Sequence, residues 1–294
     1  MIVAVEESLF GRSQADVEAA LPTREPVDCP LCHRPPCRFG VDFQGFHLAR
    51  CPTCGLQFQN PRPVFGQLVK AVYGDVYHPA DDASVATRRH GLERQFDRLE
   101  TMLTAPRRAM LDVGCGAGAF IRLASARGWQ VDGTDVVVTD WARQTGARLW
   151  EGQLPDIEFG TARFDVVRFN HVLEHTQYPL DELRRAREVV TRRGLLLVGV
   201  PNLVSLTNSL KTWQSRLHLK IKRWRHYGAL HHLWFFTPST LCRLVETAGF
   251  DVVHWETPVP ERSGLLDRWV TSLVRRPVEA VCGGDVIELY ARAR

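Results

Sequence analysis

The 294-residue chain has no apolar run near the roughly 18 residues that a membrane-spanning helix requires. Its opening residues, MIVAVEESLFGRSQADVEAA, lack a basic start ahead of a long apolar core. No signal peptide is therefore expected, and a cytoplasmic protein is the default. There is no internal repeat. The formal net charge of +4 is too small to imply nucleic acid by itself. One local lack is sharper: no acidic residue occurs between Glu188 and Glu246, a span rich in Lys and Arg. Hydrophobic content of 45% and charged content of 24% are ordinary for a globular chain, and the length suits one large domain plus a small one.

Disulfides are not expected either. Of 8 cysteines, four form two C-x-x-C pairs, a pattern that in a cytosolic protein favours metal. Cys29-Pro-Leu-Cys32 and Cys51-Pro-Thr-Cys54 are separated by an 18-residue gap containing RFGVDFQGFHLAR. This spacing predicts a tetrahedral Cys₄ zinc ribbon on a pair of β-hairpins over residues 28–60. Cys37 and His33 lie close by, but four paired thiolates already close the shell, so the Zn²⁺ is expected to be structural. Residues 1–27 read as a loose arm. A proline-bounded link, Asn60-Pro61-Arg62-Pro63, leaves the ribbon.

Residues 61–105 read as a helical linker or lid. In RRHGLERQFDRLETMLT, Leu92, Phe96, Leu99, Met102 and Leu103 share one face. Tyr73 and Tyr77 precede this helix. The stretch Met110 to Asp135 follows, MLDVGCGAGAFIRLASARGWQVDGTD. An apolar run meets Gly114, Gly116 and Gly118, a helix opens, Gly128 stops it, and a second strand ends on an acid. That order is a nucleotide-binding βαβ unit. The dinucleotide fingerprint is G-x-G-x-x-G, whereas here the glycines alternate. A ligand without a pyrophosphate does not need the doubly charged anion site of that fingerprint.

DVGCGAG followed by GTD resembles the cofactor motifs of class I S-adenosylmethionine (SAM) methyltransferases. RFDVVRFN, then HVLEHTQYPLDEL, then GLLLVGVPN match the later elements of that family, and HHLWFFTPSTL with a following AGF recurs in it. The resemblance covers roughly residues 64–294, and the cysteine knuckles extend it to a subgroup with an N-terminal zinc ribbon. It implies an α/β, Rossmann-like fold with a seven-stranded, mostly parallel sheet flanked by helices. The SAM-binding domain would span 106–294, with a basic insertion at about 203–232. Asp112, Gly114, Cys115, Gly116 and Gly118 would line the methionine side, and Asp135 would hold the ribose. Gln153 and Leu154 would lie against the adenine, and Asn170 would close the cofactor side at the end of the fourth strand. Tyr73 and Tyr77 sit where many members carry a lid, although packing aromatics fit the same positions.

A sulfonium methyl needs an aligned nucleophile and, if that nucleophile carries a proton, a base. His171 and His175, beside Glu174, follow the fourth strand, where ligands bind in open α/β sheets. Some quinone-biosynthesis methyltransferases carry an acidic version of this motif that binds a divalent metal; here His171 replaces the first acid. A purely structural role for Glu174 and His175 competes with catalysis. His232, after the basic insertion, is another candidate base. In residues 203–230, Leu203, Leu206, Leu210, Trp213, Leu217, Ile221 and Trp224 recur at helical spacing among Lys211, Arg216, Lys220, Lys222 and Arg223. Three readings stay open for this predicted amphipathic helix: a lid for an anionic acceptor, contact with an anionic membrane surface, or a solvated basic face.

The expected activity is transfer of a methyl group from SAM to a small or carrier-linked acceptor, a hydroxyl of a sugar, glycolipid or natural product. An RNA methyltransferase is the alternative, but the ribbon carries only Arg34, Arg38 and Arg50 between its knuckles, and no NPPY-like motif for base amines is present. A non-catalytic SAM-binding partner is the third reading. The expected location is the cytoplasm, with a peripheral position at the inner membrane surface as the alternative.

Overall fold

The computed structural model describes residues 12–73, 82–103, 108–259, 277–278 and 281–294. Tyr77 lies outside them. The N-terminal part opens with α1 (Gln14–Ala20), capped by Ser13, whose side chain and that of Asp16 bond reciprocally to each other's backbone. Strands β1 (Arg24–Glu25) and β5 (Arg62–Pro63) pair antiparallel around β2 (Cys37–Val41), β3 (His47–Arg50) and β4 (Gln57–Gln59). The two cysteine knuckles are the same turn made twice. Cys29 O accepts from His33 N and Cys51 O from Gly55 N, while Cys29 N donates to Arg34 O and Cys51 N to Leu56 O. Both turns end in left-handed backbone, at His33 (φ 50°) and Gly55 (φ 79°). His33 therefore fills the position that glycine holds in the second knuckle.

The expected pair of hairpins is instead a four-stranded sheet, ordered β11-β4-β3-β2, whose edge strand β11 (Trp234–Phe235) comes from far along the chain. A module this small gains core by borrowing a strand. Arg62, fully buried, completes the seam by reaching Glu25 and the carbonyl of Gln177.

Helices α2 (Phe65–Ala71) and α3 (Asp82–Met102) lead to the main sheet. Phe96 and Leu99 of α3 are buried with Met110, Phe120 and Trp129, as the apolar face predicts. Next come β6 (Ala109–Val113), α4 (Ala119–Ala126) and β7 (Gln130–Asp135). Then α5 (Asp140–Arg143) stops after a single turn. Thr145 Oγ1 bonds back to Ala142 O, and Gly146 turns left-handed, so the backbone leaves the helix there. Strands β8 (Leu149–Glu151) and β9 (Phe164–Asn170), helix α6 (Pro179–Val189) and β10 (Val190–Pro201) follow. After them lie α7 (Leu206–Arg216), β11, α8 (Pro238–Thr247), β12 (Phe250–Glu256) and β13 (Val286–Ala293).

The seven-stranded sheet runs β12-β13-β10-β9-β6-β7-β8, with β10, β9, β6, β7 and β8 parallel and β13 antiparallel to both neighbours. Leu195 to Val198 and Val200 are fully buried, as a central strand covered on both faces requires. The order departs from β6 to one side through β7 and to the other through β9, so the carboxyl ends of these strands form the crevice of an open α/β sheet.

The basic insertion is not one helix. It leaves helical geometry at Arg216, and Trp224 adopts a left-handed backbone (φ 61°) with its ring buried. That ring meets Phe39 of β2 edge to face at 5.8 Å, and Tyr227 Oη donates to Gln57 Oε1 at 2.8 Å. Trp224 thus belongs to the seam with the knuckle sheet and not to an exposed amphipathic face.

Candidate active site

Between β6 and α4 the chain makes three left-handed turns, at Gly114 (φ 67°), Gly116 (φ 54°) and Gly118 (φ 75°). A Cβ on Gly114 would lie 2.2 Å from Val172 Cγ2, and one on Gly118 would lie 2.5 Å from Thr145 Cγ2. Only glycine meets both the φ and the space. Asp135, at the end of β7, braces the loop: its Oδ2 accepts from Gly116 N at 2.8 Å.

These residues open onto a cleft of roughly 600 Å³, solvent mouth included. Gly114, Thr134 and Asp135 form one side, Gly152, Gln153 and Leu154 another, and Phe65, Tyr73, His171, Val172 and His175 a third. Seven of the residues singled out from the sequence, Tyr73, Gly114, Asp135, Gln153, Leu154, His171 and His175, therefore converge on one wall system. The others stand apart from it. Asp112 is buried under the loop with its Oδ1 2.7 Å from Arg168 Nη1, so it does not line the cleft. Cys115 packs against Gly133 and Ile121, and burial pushes its thiol far up, leaving it neutral. Asn170 is drawn away by Gln95, whose Nε2 donates to its Oδ1 at 3.0 Å.

The histidines separate by partner. Glu174 is buried, with His171 Nδ1 at 3.4 Å and His175 Nε2 at 3.8 Å from its Oε1. Burial pushes its pKa up, but His171, His175 and His232 outweigh that and hold the carboxyl below its ordinary value, so it is ionised. His175 donates from Nδ1 to His231 O at 2.9 Å, and Tyr73 Oη donates to the same carbonyl at 3.0 Å. His232 lies behind them, donating from Nδ1 to Tyr227 O at 3.1 Å; burial lowers its pKa to about 4. It is off the cleft wall, which argues against the role of base expected for it. Among the described histidines around the cleft, His171 has the half-exposed imidazole, held at a left-handed backbone (φ 56°). Glu174, His175 and His232 also bring donor atoms within 4.8 Å of one another, a spacing that fits a divalent cation.

Glu182 escaped the sequence reading. It lies on the first turn of α6 and lines the same cleft. Burial raises its pKa to about 8, against the backbone N–H of Leu154, so at neutral pH it is a protonated carboxyl. The available signal was an acid on the apolar face of α6, between Leu180, Leu183 and Ala186.

A second candidate centre lies in the knuckle sheet. The Sγ atoms of Cys29, Cys32, Cys51 and Cys54 all lie within 4.8 Å of one another, the separation a tetrahedral thiolate site needs. Burial opposes ionisation of Cys51, but the N–H groups of Cys54 and Thr53 outweigh it and lower its pKa to about 7.

A family profile described as "Methyltransferase domain" matches residues 85–255. The ubiquinone biosynthesis O-methyltransferase of Cereibacter sphaeroides is 30% identical over 201 residues, covering 62% of this chain and 79% of that protein. The protein of the same name from Azorhizobium caulinodans is 30% identical over 153 residues, 49% of this chain and 58% of the relative. The 1,6-didemethyltoxoflavin-N1-methyltransferase of Burkholderia thailandensis, solved with its substrate and S-adenosylhomocysteine, superposes with a TM-score of 0.54 at 18% identity. The match covers 87% of this chain and 99% of that one.

Proposed function

The chain belongs to the class I SAM-dependent methyltransferases, and from that premise we propose that it methylates a hydroxyl oxygen of a small or carrier-linked molecule. The observation that carries this reading is the His171–Glu174 pair at the cleft mouth. A hydroxyl loses a proton when it is methylated, and an exposed imidazole backed by a buried carboxylate is built to take one. The O-methyltransferase names of the relatives support the same acceptor atom.

The cleft fits SAM by its donor set: an acid at the ribose position, a glycine loop with no side chain in the way, and an apolar Leu154 floor beside Gln153. When bound, SAM supplies the methyl carbon, its C–S bond breaking with the electron pair kept by sulfur as the C–O bond forms. Asp135 binds the ribose hydroxyls while bracing Gly116. Neutral Glu182 and Gln153 offer hydrogen bonds on the adenine side. His171 accepts the acceptor's proton, and Glu174 orients the ring and stabilises the imidazolium. His175, fixed by the His231 carbonyl, keeps Glu174 in place.

Methyl-labelled SAM incubated with extracts of the source organism, fractionated into small molecules, lipids, glycans and RNA, tests this. Label on a hydroxyl in a non-RNA fraction, lost in His171→Ala, is the expected result. Label in the RNA fraction alone would overturn it.

A second reading rests on the Glu174, His175 and His232 donors. A divalent cation held there would polarise the acceptor oxygen, and those residues would serve as ligands. Activity that survives chelation supports the imidazole base; activity abolished by chelation and restored by a divalent metal supports the cation. The thiol cluster has the donor set for a structural Zn²⁺, which Cys29, Cys32, Cys51 and Cys54 would hold.

A further inference from the structure

Helix α7 is inside out. Its buried side is Ser215, whereas Leu206, Leu210, Trp213 and Leu217 are 52%, 55%, 55% and 51% exposed. At 100° per residue these four fall within a stripe roughly 60° wide. A helix packed on its own core turns such a stripe inward. Here polar tethers hold it outward. Ser205 Oγ caps Asn208 N at 3.1 Å, Asn208 Nδ2 donates to Asn202 O at 2.9 Å, and Ser215 Oγ accepts from Trp224 N at 3.1 Å. Leu219 and Ile221, just past the helix end, are exposed as well.

Charge selects the occupant. Arg216 lies beside the stripe, and Lys220 and Lys222 follow just past the helix end, in a span without a single acid between Glu188 and Glu246. A second copy of this chain would set one cationic face against another. An anionic bilayer offers both an apolar interior for Leu and Trp and negative headgroups for the cations. We propose that this face docks the protein on the surface of an anionic membrane. The same insertion continues through Trp224, seated on the knuckle sheet, to His231 and His232, which pack on His175 of the cleft. Docking would thus bring the cleft wall close to a lipid-dissolved acceptor. That last clause rests on the proposed methyl transfer; the docking face does not.

The test is flotation of the full chain with phosphatidylcholine vesicles, with and without added phosphatidylglycerol. Co-flotation is expected only with the anionic lipid, weakened by high salt. The variant Leu210→Glu with Trp213→Glu should lose about tenfold or more of the bound fraction, as expected when the buried apolar face is removed. Calorimetric binding of S-adenosylhomocysteine should be unchanged in that variant, which shows that it is folded and separates this test from the cofactor assignment. Three results would overturn the proposal: no flotation of the folded protein, equal flotation with neutral vesicles, or a dimer in sedimentation equilibrium that the variant converts to monomer.

Discussion

Asp112 and Arg168 face each other as register partners on adjacent parallel strands, with Nη1 and Oδ1 2.7 Å apart and both side chains almost fully buried. The guanidinium also lies 3.7 Å from the Phe120 ring centroid and donates to Gln95 Oε1 at 3.1 Å. Gln95 in turn bonds Asn170 and Glu288, and Arg94 bonds Glu288 and Glu256. A polar spine thus runs beneath the cleft, from the strand that carries the glycine loop to the far edge of the sheet.

Breaking that pair should be costly. Arg168→Met leaves Asp112 buried without its counter-charge, an expected loss of about 3–5 kcal/mol. Adding Asp112→Asn to the same chain should recover part of it. Urea denaturation of the parent and the two variants measures this; a loss below about 1 kcal/mol in Arg168→Met, the worth of an ordinary hydrogen bond, would show that the pair is not the anchor described.

Asp135→Ala removes both a ribose acceptor and the brace on Gly116 N. Hydrogen bonds to a charged group contribute about 1.5–3 kcal/mol, so SAM affinity should fall roughly ten- to a hundredfold. Isothermal calorimetry is the measurement, and unchanged affinity would remove Asp135 from the cofactor site.

With a labelled acceptor in hand, His171→Ala should lower kcat by about 10²–10⁴ with little change in SAM binding, the usual worth of a general base. Glu174→Gln should lower kcat less, because the imidazole keeps its place in the cleft but loses its charged partner. His232→Ala, off the cleft wall, should affect kcat least. If His232 proved the most sensitive position, the base assignment would fail.

Glu182 should make stability fall with rising pH. Its folded pKa is raised to about 8, above the unfolded carboxyl value, so the folded state binds the extra proton between the two. The stability that proton confers is present at low pH and lost as pH climbs through about 8. Glu182→Gln keeps the hydrogen-bonding shape without the titration. Its melting temperature should therefore gain on the parent between pH 6 and 9, and parallel melting curves across that range would refute the buried acid.

Cys51→Ser should release stoichiometric zinc and loosen the knuckle sheet. Because β11 pairs with β4 and Gln59 Nε2 holds His232 O at 2.7 Å, the loss should also reach the cleft and lower kcat. Zinc analysis of the purified protein, alongside activity, checks both halves; a protein that never holds zinc would refute the metal assignment.

Much of the fold was legible. The βαβ unit from Met110 to Asp135, the buried run of β10 and the cysteine knuckles are local patterns whose period or spacing carries their structure. The end of helix α5 was not legible, because Thr145 and Gly146 set it through turn chemistry that apolar spacing does not record. The insertion was read as one amphipathic helix because Trp224 continues its period, yet that ring turns away to pack on Phe39. Arg168 was passed over as a strand residue, although a cation inside an apolar parallel strand signals a buried partner.

The sequence by itself determined the class of the sheet, the glycine loop with its acid, the four thiols and the cationic insertion. Each depends on residues near one another along the chain, where backbone φ, side-chain period and turn spacing suffice. Tertiary structure decided which of these meet. It put Asp112 under the loop rather than in the cleft, left His171 as the exposed imidazole on Glu174, and added Glu182 to the wall. It also completed the knuckle sheet with β11 and turned the apolar stripe of α7 to solvent. A side chain's charge state, exposure and partner depend on what long-range packing brings against it, and sequence separation holds no record of that distance.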